Sequence, residues 1–320
     1  MPASPRCGAR SGATSARRRA AGTRRNDMQI GLVGLGRMGA AMAERLCSRG
    51  LEVIAWDIDP RAIARQKQHG MRIADGAAAV ATAADLIISS ITEDSGARRL
   101  FCGPGGFLEA PVAGKLFVEM STLQPATVRK LAAEAKARGA RLIDSPVMGS
   151  IPMVREGRLV ALVGGQAEDV GRGRAVLDHL TRRIIHLGGS GCGSAMKLAV
   201  NLGMAAYLQA LSESLALGAG YGLSLEQMLD VLAEAPTANP WLRLKLDILK
   251  GGHGDVTIDI RTMRKDVMSA VATGASEGIG MPVAAGALTA LAAAVAAGNG
   301  EEDIAEMPRI FREHLVQRYE

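Results

Sequence analysis

Aromatic side chains are scarce in this 320-residue chain, with two Trp, three Tyr and four Phe. That is too few for a surface that stacks nucleic-acid bases. Cysteine is scarce as well. Cys7, Cys47, Cys102 and Cys192 are scattered, with no CxxC. This argues against a disulfide frame or a thiolate zinc site and fits a reducing compartment. The five histidines, His253 among them, show no HxxxH or HExxH spacing, so they read as surface or loop residues and no metal is expected. No apolar run approaches the roughly 20 residues of a membrane span, so no membrane partner is expected. A net excess of positive charge is missing from most of the chain, although the formal net charge is +6. Residues 1–27 hold seven arginines (Arg6, Arg10, Arg17, Arg18, Arg19, Arg24, Arg25) and one acid, Asp27, so residues 28–320 sum to zero. A neutral body removes the main argument for a nucleic-acid partner. Residues 1–27 are rich in Arg, Ser and Ala and lack an apolar core, in the manner of an organelle transit peptide rather than a secretory signal. The plainer reading, adopted here, is a disordered basic extension before a folded chain beginning at Met28, in a cytoplasmic protein.

The organising stretch runs from Met28 to Asp57. An apolar run, Ile30 to Val33, meets a turn with Gly34, Gly36 and Gly39 in GxGxxG spacing. A helical pattern (Met38, Met42, Leu46) closes at Gly50, and a second apolar run, Val53 to Trp56, delivers Asp57, 21 residues after Gly36. Strand, glycine turn, helix, strand and acid are the order that a dinucleotide-binding unit requires. Gly34 permits the tight turn, Gly36 has no Cβ to hold off a pyrophosphate, and Gly39 lets the helix pack on the strand. The helix N-terminus, with Leu35, Gly36, Arg37 and Met38 around it, offers N–H groups and a positive dipole end to phosphates. Asp57 at the end of the second strand can accept ribose hydroxyls and repels a 2′-phosphate, so NAD is expected, with NADP as the alternative because Arg61 is near.

From Met28 to about Gly189, apolar runs (Leu86 to Ile91, Leu116 to Met120, Arg141 to Ile143, Leu159 to Val163) alternate with helical patterns such as Pro125 to Arg138 and Ala167 to Leu180. Alternation predicts a mainly parallel sheet covered on both faces, with ligands at the carboxyl ends of its strands. The loops there include Thr92 to Gly96, following Ile91, then Ser121 to Pro125 and Asp144 to Gly149. The GGSGCG loop, Gly188 to Gly193, marks a boundary. Beyond it we expect only helices: a long one over 194–220, then Leu225 to Glu234, Pro240 to Leu249, Ile260 to Thr273, Val283 to Ala297 and Asp303 to Leu315. The expected organisation is therefore an α/β Rossmann-like dinucleotide-binding domain over 28–190, a long connecting helix, and an all-α domain within 191–320. Methionines at helical spacing (Met38, Met42, Met263, Met268) read as core filler.

Lys197 lies near the start of the long helix, and Asn201 is four residues on, on the same face. A lysine there can give or take a proton while the asparagine holds the same substrate oxygen. The bland alternative is a solvated lysine slightly disfavoured by the helix dipole.

Six motifs follow one another in order: GLVGLGRMG, VEMSTLQP, DSPVMGS, EGRLVALVGG, GCGSAMKLAVN and RKDV. Together they resemble the β-hydroxyacid dehydrogenase family, which includes 3-hydroxyisobutyrate dehydrogenase and tartronate semialdehyde and glyoxylate reductases. The likeness runs from about Met28 to Thr273. It implies a Rossmann-like domain, a long connecting helix and a helical domain resembling that of 6-phosphogluconate dehydrogenase, paired into dimers or tetramers through the helical part. Lys197 matches the family's catalytic lysine, and Asn201 its partner in the substrate site. Ser121 matches the serine at the nicotinamide end of the cofactor, and counts with Met148, Gly149 and Ser150 as substrate-binding. The last three fall in the loop whose N–H groups hold a substrate carboxylate. Lys265 matches a lysine that closes over cofactor and substrate, and Ile91 and Thr92 join the cofactor set.

The departures bear on the substrate more than on the reaction. Where the family reads DAPVSGG, Met148 replaces its Ser and Ser150 its second Gly. Val200 stands for the first Asn of KLxNN, and Ile91 to Asp94 reads ITED where MLP is common. The resulting expectation is an NAD(P)-dependent oxidoreductase of a small carboxylate-bearing β-hydroxyacid or its semialdehyde. The alternatives are an imine reductase-like enzyme, whose group usually lacks the lysine, and a catalytically inactive nucleotide-binding protein. Chain-length preference is assigned to side chains of the helical domain such as Trp241 or Leu242.

Overall fold

The computed structural model describes residues 28–316. The segment 1–27, with both readings of it, lies outside the described residues. Strands and helices first alternate: β1 (Ile30–Val33), α1 (Arg37–Ser48), β2 (Val53–Trp56), α2 (Pro60–Gln68), β3 (Arg72–Ile73), α3 (Ala77–Ala83), β4 (Leu86–Ser89), α4 (Asp94–Cys102), β5 (Leu116–Glu119), α5 (Pro125–Ala137) and β6 (Arg141–Asp144). The six strands form one parallel sheet in the order β3-β2-β1-β4-β5-β6. The order reverses between β1 and β4, which opens a crevice at their carboxyl ends. Successive side chains of a strand feed opposite cores. Leu86, Ile88, Leu116 and Val118 pack with Met42 and Leu46 of α1 on one face. Ile87 and Phe117 pack with Phe101 and Phe107 on the other, their three rings 5.0–5.2 Å apart. Runs buried on both faces are why these strands read as continuous apolar segments.

The expectation of a single sheet is corrected after β6. There follow β7 (Val147–Met148), α6 (Ile151–Glu156), β8 (Leu159–Val163), α7 (Ala167–Leu180) and β9 (Thr181–His186). β8 does not extend the first sheet. It lies at the centre of a second, three-stranded sheet, antiparallel to β7 and parallel to β9. An antiparallel bridge between Asp144 and Gly164 joins the carboxyl ends of β6 and β8.

Then come α8 (Cys192–Gly220), α9 (Leu225–Glu234), α10 (Pro240–Leu249), α11 (Ile260–Ser276), α12 (Pro282–Ala296) and α13 (Met307–Val316). Among the described residues no strand follows β9, so the second half is helical as expected. Side chains cap α9 through Ser224 and Gln227, α10 through Asn239 and α11 through Asp259. At 1.5 Å per residue α8 is about 43 Å long. Its start packs on β6, β8 and α5, and its remainder on α11, α12 and α13. Met42 and Met263 are core residues and Met38 is partly buried, but Met268 is 45% exposed, against the expectation of core filler. Leu242 is fully buried among Leu211, Leu215 and Leu229, and Trp241 stacks edge-on against Tyr207 at 6.1 Å. Both therefore serve the helical core. No helix among the described residues is long and apolar enough to cross a membrane.

The helical core holds a buried ion pair. Lys245 Nζ lies 2.9 Å from Asp303 Oδ2, and both residues are under 5% exposed. Burial alone would raise the Asp303 pKa. Lys245 and the N–H groups of Ala305 and Thr257 outweigh it and hold the carboxyl below its ordinary range. An Asp303→Asn variant leaves Lys245 uncompensated and is expected to lose about 3–5 kcal/mol of stability in urea denaturation. The wild-type carboxylate's contribution is present above its unfolded pKa of about 3.9 and is lost as pH falls through the lower folded value. A denaturation midpoint unchanged in the variant at neutral pH would contradict this.

The glycine turn yields a second prediction. Gly34 has φ 97°, and a Cβ there would overlap the Ser90 carbonyl oxygen. A Cβ on Gly39 would overlap the Gly34 carbonyl oxygen. Gly36 adopts extended backbone, and a Cβ there would meet nothing within 4 Å. Gly39→Ala is expected to cost about 3 kcal/mol or more in thermal unfolding, through overpacking against backbone. Gly36→Ala should cost under about 1 kcal/mol yet weaken dinucleotide binding, read by calorimetry, about tenfold or more by filling the space a pyrophosphate takes.

Candidate active site

The crevice at the switch point is floored by the glycine turn. α1 begins at Gly36 with no side-chain cap, so its first N–H groups are free for an anion. The open space at Gly36, the tight packing at Gly34 and Gly39, and the uncapped helix fit the phosphates of a dinucleotide. Leu35 corrects the expectation in part. Its side chain is buried, and its N–H donates to Asp57 Oδ2 at 2.5 Å. Leu35 therefore shapes the turn and supplies no free donor. Asp57 Oδ1 accepts from the Asp59 N–H at 2.7 Å. The carboxylate thereby locks the loop after β2 to the turn after β1, and each oxygen keeps a second lone pair for a ribose hydroxyl. Arg61 is turned to Asp59 at 3.2 Å. Ile58 is exposed.

Arg37 reaches out of the turn to the helical half. Its guanidinium meets Asp259, the cap of α11, at 2.8 Å and the Val256 carbonyl at 3.2 Å. Lys265 closes the same gap from the other side, donating to the Thr122 carbonyl at 2.7 Å. These two contacts hold α11 over the carboxyl ends of β1 and β5. Beside Thr122, Ser121 is nearly buried and its Oγ accepts from the Ile91 N–H at 2.8 Å. The structure thus brings Ile91, Ser121 and Lys265 together. Thr92, next to Ile91, is exposed at the rim.

Lys197 and Asn201 face α11 from α8. Asn201 Nδ2 donates to Asp266 Oδ2 at 2.5 Å. Lys265 Nζ lies 2.6 Å from Asp266 Oδ1, a charge contact whose angles do not make a hydrogen bond. Asp266 is itself buried. Lys197 keeps some exposed surface, but the protein crowding its ammonium is dense. Burial pushes its pKa below the ordinary lysine value. Asp266 pulls it back up, and Lys265 pushes it down. An amine so placed can carry a proton to or from a substrate oxygen nearer neutral pH than a free lysine can.

The loop after β6 is set by Asp144. Its carboxylate is fully buried and accepts from the N–H groups of Gly191 and Ser194, both at 2.8 Å. It thereby fixes the start of α8, and so the position of Lys197. A Cβ on Gly193 would lie 2.9 Å from this carboxylate and one on Gly164 2.6 Å from it, so glycine is required at both positions. Further along the loop Met148 is half-buried, Gly149 is exposed at φ 139°, and Ser150 precedes α6. No hydrogen bond among the described residues ties Met148, Gly149 or Ser150 to Lys197 or Asn201. Sequence reasoning missed Asp266, Asp144, Glu119 and the Arg37–Asp259 link. The three acids lie inside the quoted motifs RKDV, DSPVMGS and VEMST, so the motifs contained them without showing what they touch.

Comparison with known proteins covers both halves of the chain. Residues 29–188 match the family model described as the NAD binding domain of 6-phosphogluconate dehydrogenase. Residues 191–311 match the model described as NAD-binding of NADP-dependent 3-hydroxyisobutyrate dehydrogenase. The 3-hydroxyisobutyrate dehydrogenase of Pseudomonas aeruginosa is 31% identical over 293 residues, 88% of this chain and 98% of that one. Glyoxylate/succinic semialdehyde reductase 1 of Arabidopsis thaliana is 30% identical over 276 residues, 86% of this chain and 96% of that one. Among solved structures, Mycobacterium tuberculosis 3-hydroxyisobutyrate dehydrogenase with L-serine superposes with a TM-score of 0.79 at 27% identity, covering 89% of this chain and 99% of that one. Two matched halves and relatives aligned along nearly their whole length make the chain a member of the β-hydroxyacid dehydrogenase family of NAD(P)-dependent oxidoreductases.

Proposed function

We propose that the protein interconverts a small, carboxylate-bearing β-hydroxyacid and its semialdehyde or keto form, with Lys197 as the general acid/base. The observation that carries this reading is the cluster on α8 and α11: Lys197 within reach of the charges of Asp266 and Lys265, with Asn201 anchored on Asp266. A bound nicotinamide supplies the hydride acceptor or donor. Lys197 takes the carbinol proton in oxidation and returns one to the carbonyl oxygen in reduction. Because its amide donates to Asp266, Asn201 presents its carbonyl oxygen and second N–H elsewhere in the site. The loop of Met148, Gly149 and Ser150 is assigned to the substrate carboxylate, with the Ser150 hydroxyl replacing the donor that Met148 lacks.

Lys197→Ala is expected to lower kcat/KM about a thousandfold and leave the cofactor Kd near the wild-type value. Near-normal turnover would sink the role. Removing the Asp266 charge takes away the one carboxylate that raises the Lys197 pKa. The acid limb of the oxidation profile in Asp266→Asn should therefore move to lower pH, and a shift to higher pH would contradict the assignment. Assays with glyoxylate, succinic semialdehyde and methylmalonate semialdehyde test the substrate class. NAD binding without turnover of any of them would favour an inactive nucleotide-binding protein.

We also propose NAD over NADP. Asp57 sits where a 2′-phosphate would be repelled, and Arg61, the nearby cation, is engaged by Asp59. NADH is expected to exceed NADPH in kcat/KM by about tenfold or more, an electrostatic difference of roughly 1.4 kcal/mol. A preference for NADPH would overturn the assignment.

A further inference from the structure

Glu119 takes no part in the chemistry above, yet it lies directly beneath it. The register pairs Ser89 of β4 with Glu119 of β5, and Glu119 with Asp144 of β6. Three polar side chains therefore stand in one row at the carboxyl ends of adjacent strands, all fully buried. Ser89 Oγ lies 2.5 Å from Glu119 Oε2. Glu119 Oε1 accepts from the N–H of Ser121 at 2.8 Å. Asp144 ends the row on the first turn of α8. One buried row thus joins the serine assigned to the nicotinamide end with the helix that carries Lys197.

We propose that Glu119 is a positioning residue that holds Ser121 in place and, through its neighbour Asp144, couples that contact to the start of α8. The inference rests on the reading of Ser121 as a cofactor-side residue. Burial pushes the Glu119 carboxyl up to about 7. The bonds from Ser121 and Ser89 oppose the shift, and Asp144 adds to it. Burial raises the Asp144 pKa too, against the N–H bonds from Gly191 and Ser194. The other charged groups near this loop engage different atoms. Lys265 of α11 binds the Thr122 carbonyl, Asp94 of α4 binds the Gln124 N–H, and Arg98 of α4 reaches Thr127 Oγ1. No cation contacts Glu119 among the described residues. Above neutral pH Glu119 therefore becomes an anion in a buried row with no cation in contact, and the cost of holding that charge loosens the ends of β5 and β6 together with the hold on Ser121.

The test is NADH affinity by fluorescence titration between pH 6 and 8, in the wild type, Glu119→Gln and Ser89→Ala. In the wild type affinity should weaken about fivefold through a midpoint near the Glu119 value. Glutamine keeps the acceptor for Ser121 and cannot ionise, so Glu119→Gln should bind with a flat profile. Ser89→Ala removes a donor to the carboxylate, so its midpoint should move to higher pH. Infrared titration should show a buried carboxyl in the wild type that disappears in Glu119→Gln. A flat wild-type profile, an unchanged slope in Glu119→Gln, or a Ser89→Ala midpoint that stays put or falls would overturn the proposal. Failure of NADH to bind at any pH would sink it together with the cofactor reading. Normal turnover by Lys197→Ala would sink only the acid/base assignment.

Discussion

A buried carboxylate has to be held by something, and that requirement shapes this site. Asp266 is enclosed between α8 and α11, where an isolated anion would be strongly disfavoured. It is held by the Asn201 amide, by the Lys265 ammonium and by the longer-range charge of Lys197. Each partner is also a residue to which the reaction is assigned. The anion's need for company thus gathers its neighbour Lys265 with a lysine and an amide more than sixty residues away in sequence. It also balances Lys197. Burial and Lys265 both lower the pKa of the amine, and Asp266 offsets part of that shift.

The same cluster ties the two halves together. Lys265 stands next to Asp266 in sequence, and its ammonium also reaches the Thr122 carbonyl. Two turns earlier Asp259 caps α11 and receives Arg37 from the glycine turn. One helix therefore touches the loop after β1 and the loop after β5, two of the loops at the carboxyl ends of the strands, where a parallel sheet presents its ligand. Arg37 is half-exposed at 53%, so its pair with Asp259 adds little to stability by itself. Its effect is geometric, since it fixes how far α11 stands from the crevice.

The parts of the fold legible in the sequence were those in which one local pattern decides the structure. Apolar runs buried on both faces announced β1, β2, β4, β5 and β6. The expected bounds of α7, α9 and α10 matched to the residue, the last two behind side-chain caps. The strands missed had no such pattern. β3 and β7 have two residues each, too few to alternate, and β9 begins Thr-Arg-Arg with both arginines exposed. The placement of β8 in a second sheet was not legible either. A buried run looks the same in either sheet, and pairing is settled only by what lies beside it. The site divided in the same way. The shared helix face of Lys197 and Asn201 was legible because i and i+4 is a local relation. Asp266, Glu119 and Asp144 act across 65, 30 and 47 residues, distances at which spacing says nothing.

The glycine turn shows how fold and ligand divide one motif. Its three glycines look equivalent in sequence, yet a Cβ at Gly34 or Gly39 collides with carbonyl oxygens of the protein, whereas a Cβ at Gly36 meets nothing. Two of them are demanded by the chain's own packing and would be needed with no cofactor at all. The third gains nothing for the fold, because Gly36 adopts a backbone open to any residue. The open space at Gly36 and the uncapped helix N-terminus beside it leave room and free N–H groups that suit a pyrophosphate.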